Sequence, residues 1–416
     1  MPTPVPTTAS NHLPPSRTPS DPQSTSARQS SLRESNLGLV VRTVYASPTA
    51  LSRAGVAGRT SLTRSTVSRL VDDLVAGGVL AELGQAEATG RGRPATPLVP
   101  GAGLAALGLQ VNATYLAARV VDLRGTVVAE RVEYADLVSS EPAPTLTRLA
   151  ALSTQALKEV PGDVRLVGAG LALPGIVSAD TGRLLLAPNL GWADVRPADL
   201  VRRAAIAGLT LNVGNEADLA ARTVAEMAPG RPSSLRDFVY LSGEIGIGGA
   251  AIVDGQVMQG RHGWAGEIGH VCVDPDGPVC PCGATGCLEQ YAGRRALLAA
   301  AGLPPGSTPA ELRDAARSGG RRAERAVSRA VKALGIALAG VVNVLDIPDI
   351  VLGGDLGQIA DVLAPGLEVQ LRSRTLSARW VSPTIHTASD DPAPGATGAA
   401  LRELSAVLAH PAAWLP

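Results

Sequence analysis

Apolar and polar positions divide the chain into three regimes. Residues 1–30 hold mostly Pro, Ser, Thr and small polar side chains. They cannot bury enough apolar surface to offset the entropy of ordering, which predicts a disordered tail. Helical spacing begins near Leu32, and Leu37, Val40, Val41 and Val44 fall on one face. Residues 51–59 predict a second, short helix. It carries Gly55 and Gly58, each costing about 1 kcal/mol relative to Ala, so packing has to hold it. Thr63 is a good N-cap for a third helix running to about Ala76. Its apolar stripe is Val67, Leu70, Val71 and Leu74, and Gly77-Gly78 ends it. Two short strands, over 79–83 and 95–99, flank a polar loop closing with Gly90-Arg91-Gly92-Arg93-Pro94. Three helices and a β-ribbon predict a winged helix-turn-helix domain over residues 31–99.

From about Leu104 the periodicity changes. One or two strands are expected within 105–121, and others over 165–173, 209–213, 238–241 and 350–352. A helix over 145–159 and a long one over 323–345 lie among them. Asp254-Gly255 joins 250–253 to 256–258 as a hairpin. Strands alternating with helices indicate an α/β architecture. The length and the hairpins suggest two lobes with a cleft between them.

The chain of 416 residues is long enough for two or three domains. Lys+Arg and Asp+Glu balance at 37 each, so the whole-chain charge implies no partner. Residues 28–98 differ, with nine Arg, no Lys and five acids, a net of +4. That is a modest footprint for nucleic acid. On the third helix Thr63, Arg64, Ser65, Ser68 and Arg69 lie off the apolar stripe and are the candidate DNA contacts. Arg91 and Arg93, between glycines, suit a narrow minor groove. A helical protein–protein module with a solvated basic loop fits the same pattern. Four cysteines argue for a reducing cytoplasm rather than a disulfide framework. No uninterrupted apolar run reaches the roughly 18 residues that span a membrane, and no secretory signal is visible.

Three of the four cysteines cluster with a histidine. His270, Cys280, Cys282 and Cys287 are spaced His-x9-Cys-x-Cys-x4-Cys. Three thiolates and one imidazole suit a closed, tetrahedral structural zinc site, with no open position for a substrate water. Gly283 and Gly286 let the backbone fold back around one ion. The metal would pin Glu267 and Glu289 close to His270. A metal-bound imidazole keeps its second ring N–H as a donor. Two carboxylates and a fixed N–H suit the hydroxyls of a sugar. Cys272, between Val271 and Val273, is expected as a spare thiol buried in a strand.

These segments together resemble the ROK family of repressors, open reading frames and kinases, over about residues 31–410. The most specific part is Ala265-Gly266-Glu267-Ile268-Gly269-His270 with the cysteine cluster ending Cys287-Leu288-Glu289. Leu173-Pro174-Gly175, Ala187-Pro188-Asn189-Leu190-Gly191-Trp192, Gly246-Ile247-Gly248-Gly249 and Val351-Leu352-Gly353-Gly354 also match. The resemblance implies a two-lobed, actin-like (ribonuclease H-like) sugar-kinase fold behind the winged domain. Its first lobe would be 104–214, completed by a C-terminal helix over 392–410. Its second would be 215–391, with the zinc site. It further implies sugar contacts from Asn189, Asn215, Glu267, His270 and Glu289.

The family's kinases carry a base Asp where this chain has Glu216. They resemble Asp-x-Gly-Gly-Thr where it has Gln110-Val111-Asn112-Ala113-Thr114, and a hydroxyl is expected where Ile245 stands. The resemblance therefore implies a sugar sensor without phosphoryl transfer, with Glu216 kept as a hydroxyl acceptor. A kinase that tolerates these changes is the alternative. The sensor would be a cytoplasmic regulator, a repressor in our reading. It would bind a double-stranded operator as a homodimer or a dimer of dimers. An activator, and a partner protein as the signal, stay open, as does the choice among xylose, glucose and N-acetylated amino sugars.

Overall fold

A computed structural model describes residues 22–84, 96–201 and 203–416. Residues 1–21 of the expected tail, and the loop with Arg91 and Arg93, lie outside the described residues. The tail is shorter than expected, because helix α1 (Pro22–Tyr45) already contains residues 22–30. Pro22 sits in the first turn, where its missing N–H costs nothing, and Gln23, Ala27, Arg28 and Gln29 are tolerant of helix. The apolar face of α1 is buried as its spacing demands, with Leu37, Val40 and Val41 at 0% exposure.

The second helix is shorter than expected. Leu51 and Ser52 form a strand, β1 (Leu51–Ser52), and α2 (Arg53–Thr60) follows. Ser52 is extended and its side chain accepts from the Gly55 N–H, so the N-cap separates strand from helix. Helix α3 (Arg64–Ala76) is capped by Thr63, whose hydroxyl accepts from the Thr66 N–H. Strands β2 (Leu80–Glu82) and β3 (Pro97–Pro100) complete a three-stranded antiparallel sheet in the order β1-β3-β2.

Two five-stranded sheets come next, and they repeat one pattern. The first holds β4 (Leu104–Val111), β5 (Tyr115–Asp122), β6 (Val127–Tyr134), β7 (Arg165–Leu173) and β8 (Leu211–Asn215), in the order β8-β7-β4-β5-β6. The second holds β9 (Phe238–Gly243), β10 (Ile247–Val253), β11 (Gln256–Val257), β12 (Asp349–Gly353) and β13 (Thr384–Thr387), in the order β11-β10-β9-β12-β13. Each sheet has an antiparallel meander on one side of its first strand and parallel neighbours on the other. Helix α4 (Pro142–Leu157) covers one face of the first sheet, and α5 (Glu216–Ala225) starts directly after β8. Helices α6 (Arg321–Leu345) and α7 (Ala360–Arg374) form the core of the second half. Among the described residues α6 alone is long and apolar enough to cross a membrane by length and composition. Its apolar face is packed in that core.

Helix α8 (Pro394–Ala409) returns to the first sheet. It lies directly on β4 and β7, because a side chain at Gly108 or Gly170 would run into the backbone of Ala396 or Ala399. Its far end joins another core. Leu404, Val407 and Leu408 pack with Leu37, Val41, Leu70 and Leu74 of the N-terminal module and with Leu104 and Val121. The N-terminal module therefore shares its hydrophobic core with the first sheet.

Candidate functional site

Parallel strands end together, and the loops leaving them form the cleft. Asn112 follows β4, Pro174 and Gly175 follow β7, Asn215 closes β8, and Glu244 to Ile247 connect β9 to β10. The cleft between the two sheets spans ≈ 620 Å³, open solvent included. Asn189, Asn215, Glu216, Glu267, His270 and Glu289 all line it, so one cavity gathers all six residues singled out for sugar contact.

His270, Cys280, Cys282 and Cys287 converge beside it, with their ligand atoms all within 4.8 Å of one another. The Cys282 and Cys287 sulfurs are 3.7 Å apart, and Cys280 Sγ is 3.8 Å from His270 Nδ1. A tetrahedron with metal–sulfur arms of about 2.3 Å has edges of about 3.8 Å. These two edges match that tetrahedron, and the donor set fits a zinc ion. Gly283 and Gly286 adopt φ of 95° and 70°, and a side chain at Gly286 would collide with the Asp274 carbonyl. Nδ1 of His270 faces the sulfurs, and Nε2 faces Glu267 Oε2 at 3.9 Å. Cys272 is not a core thiol. It is exposed, and its backbone makes only an isolated bridge to Cys287, because the 271–279 loop runs over the surface.

Glu289 is 6% exposed. It accepts from the Ile247 N–H at 3.3 Å and from Asn189 Nδ2 at 3.4 Å, so the glycine-rich turn and the 188–191 segment meet on one carboxylate. Gly246 makes this possible, since a side chain there would occupy the Glu289 carboxylate. Asn215 is more committed than expected. Its Oδ1 caps α5 through Ala217 N (2.7 Å) and Asp218 N (3.2 Å), and its Nδ2 donates to the Gly175 carbonyl at 2.9 Å. One N–H remains for a ligand. Burial raises the Glu267 carboxyl, His270 lowers it and Glu289 raises it again.

The other end of the cleft is built differently. Glu216 Oε2 accepts from Asn112 Nδ2 at 3.1 Å and from Gln110 Nε2 at 3.3 Å. Burial pushes Glu216 up to about 7, against the opposing pull of those two amides. Asn112 Oδ1 in turn accepts from the backbone and hydroxyl of Thr114. Gln110 Oε1 accepts from Ala396 N, in the first turn of α8, at 3.0 Å. In the sequence Gln110 and Asn112 stand out only for the acid and glycine they replace; in the fold their amides hold this corner together. Next to it lies a cavity lined by Gly353 and Gly354 together with Glu244, Asp355, Asp390 and Asp391. The one basic residue lining it, Arg294, pairs with Asp355 at 2.6 Å.

In the N-terminal module Arg64, Ser65 and Arg69 are exposed on α3 and Ser68 is half-buried. Arg53 engages Asp72 at 2.7 Å and Glu82 at 2.9 Å, and Arg33 engages Asp73 at 2.8 Å. The acids of α3 are thereby neutralised, whereas Arg64 and Arg69 have no ion pair among the described residues. Thr63 is mainly a cap, bonded to Ser65 and Thr66.

The ROK family model matches residues 106–403. A xylose repressor from Caldicellulosiruptor bescii is 28% identical over 366 residues, spanning 84% of this chain and 90% of that protein. A ROK family transcriptional regulator, a homolog of the E. coli MLC protein, superimposes with a TM-score of 0.72 at 23% identity, covering 91% of this chain and 98% of its own. A ROK glucokinase from Streptomyces griseus, solved with glucose and AMPPNP, gives a TM-score of 0.60 at 25% identity and covers 71% of this chain and 98% of its own.

Proposed function

The chain belongs to the ROK family, and we infer that it is a sugar-responsive, DNA-binding repressor and not a sugar kinase. The observation that carries this reading is the contrast within one cleft. The Glu267 carboxylate and His270 Nε2 make no hydrogen bond among the described residues and offer an acceptor and a donor to hydroxyls, while one oxygen of the carboxylate in the kinase-base position is held by the amides of Gln110 and Asn112. Both donors sit on Oε2, so a hydroxyl approaching that oxygen would have to displace them. The acidic neighbouring cavity, whose arginine is already paired, is a poor cradle for a triphosphate. The relatives named as repressors support the same reading.

The proposed units are a winged helix-turn-helix over 31–99, a first lobe over 104–214 completed by α8, and a second lobe over 215–391. His270, Cys280, Cys282 and Cys287 would hold zinc, which braces the loop between Glu267 and Glu289. Arg64, Ser65, Ser68 and Arg69 would face the major groove, with Arg91 and Arg93 in the adjacent minor groove. A homodimer would place two modules on half-sites about 34–36 Å apart, or a multiple of that.

Helix α8 supplies the route between the sites. Its first turn is tied through Gln110 to Glu216 in the cleft. Its last turns pack against α1 and α3, and His410 Nδ1 lies 3.2 Å from Glu34 Oε1 of α1. A sugar hydroxyl taken up by Glu216 Oε2 competes with Gln110 and so acts on the end of a rod seated in the DNA module. The sugar releases DNA to the extent that it binds the DNA-incompetent arrangement more tightly, with each factor of ten worth about 1.4 kcal/mol.

The test is a thermal-shift screen of xylose, glucose and N-acetylglucosamine on the purified chain, with and without Mg-ATP, following ATP consumption. Duplexes selected from a random-sequence library would then be titrated with and without the stabilising sugar. Stabilisation without ATP turnover, together with sugar-induced release of a palindromic duplex, is the expected result. Sugar-dependent ATP consumption overturns the reading.

A further inference from the structure

A second cavity lies between the halves on the far side of Asn215. It spans ≈ 1060 Å³, open solvent included, and Asn215 is the residue it shares with the sugar cleft. Asp218 and Arg222 line it from α5, Arg402 from α8, and Gln256, Gln259 and Gly263 from β11 and the loop after it. Asp218 Oδ1 is buried with no hydrogen-bond partner among the described residues. A buried, unpartnered carboxylate oxygen is costly, and it persists where a ligand completes it. Burial, followed by the charge of Glu267, pushes this carboxyl up to about 7. Asp218 thus stands on the wall between the two cavities, close enough to feel a residue of the first.

The remaining lining defines what fits. Arg222 is spent on Glu226 (3.0 Å) and Ser405 (2.6 Å). Arg402 is spent on the carbonyls of Asn212 (2.7 Å) and Val213 (3.3 Å) and on Glu403 (3.2 Å). An anion finds no free cation here and meets Asp218; a cation meets two arginines. The Gln256 and Gln259 side chains make no hydrogen bond among the described residues. The free groups are therefore one carboxyl and two amides, which both donate and accept. Gly263 closes the cavity by reaching the first half, where a side chain would press on Ala179. On the same loop Trp264 is 42% exposed and lies 5.0 Å, centroid to centroid, from His262.

We propose that this cavity is a second saccharide subsite, in which Asp218, Gln256 and Gln259 hold the hydroxyls of a further sugar ring. The proposal rests on the reading of the first cleft as a sugar site. The ring is either the second unit of a disaccharide whose first unit fills the cleft, or a separate monosaccharide.

The test is calorimetric titration of the full chain with xylose, glucose, N-acetylglucosamine and their β-1,4-linked dimers, on wild type, Asp218→Asn and Gln259→Ala. Gln259 is exposed, so its variant folds even if Asp218→Asn does not; melting temperature and metal content check both. For a linked ring, one dimer binds about tenfold tighter than its monomer, and both variants lose that gain while monomer affinity is unchanged. For a separate molecule, a monosaccharide fills two sites per chain and the variants weaken one of them. One monosaccharide site, no gain from the dimers and no effect of the variants overturn the subsite and leave the cleft reading standing. Binding of none of the six sugars overturns both.

Discussion

The two ends of the cleft are made from the same kinds of residues and do opposite things. At one end, Glu267, His270 and Glu289 are positioned by a cysteine-anchored loop; the Glu267 carboxylate stays open, while Glu289 Oε2 already takes the Ile247 N–H and Asn189 Nδ2. At the other, Glu216 is half-buried, two amides meet its Oε2, and one of them, Gln110, is tied in turn to α8. A carboxylate's role is thus set by what already occupies its lone pairs. In the proposed function the first end receives hydroxyls and the second reports their arrival.

The sharpest way to break this contrast is to remove the brace. Cys282→Ser is expected to lose bound metal, measured by atomic absorption, and to weaken sugar binding by about 10–100-fold, the range expected when a positioning shell is lost. Normal sugar affinity in a metal-free variant would refute the bracing role. Next, Glu289→Gln keeps the shape but lowers acceptor strength against Ile247 N and Asn189. Sugar affinity should fall about tenfold in calorimetry with metal content unchanged. Arg64→Ala with Arg69→Ala should weaken duplex binding about tenfold or more and flatten its salt dependence, leaving sugar affinity intact.

Gln110→Ala probes the reporting end. It should change sugar affinity by less than about threefold, yet abolish sugar-induced duplex release in an anisotropy assay. Retained release would show that α8 is not the route. The smallest effect concerns pH. Glu216 and Asp218 are both pushed up to about 7, chiefly by burial, whereas in the unfolded chain they titrate near about 4. The folded chain therefore binds more protons between those values. Their contribution is most favourable below about pH 4, falls as pH rises to about 7 and is flat above. Glu216→Gln should raise the melting temperature at pH 8 by a few degrees, on the order of 2–4 °C, and shrink the dependence seen by scanning calorimetry between pH 5 and 7.

Much of this was legible along the chain because it depends on local spacing. The stripe of α3, its Thr63 cap, β7 and the hairpin at Asp254-Gly255 follow from periodicity and turn chemistry. The metal cluster follows from ligand spacing and two glycines that no other residue could replace without strain. Boundaries were less legible. Ser52 reads as helix until β3, from 45 residues downstream, pairs with it. Cys272 reads as core between two valines until the loop is seen on the surface. By itself the sequence determined which elements form and which side chains can bind metal and hydroxyls, since those are properties of neighbours in the chain. Only the tertiary structure decided that Gln110 and Asn112 occupy Glu216, that Asn215 is spent on a helix cap, that Asp218 is left unanswered, and that α8 joins the cleft to the N-terminal module. Those are contacts between residues up to 286 positions apart, and which lone pair meets which donor is fixed by packing alone.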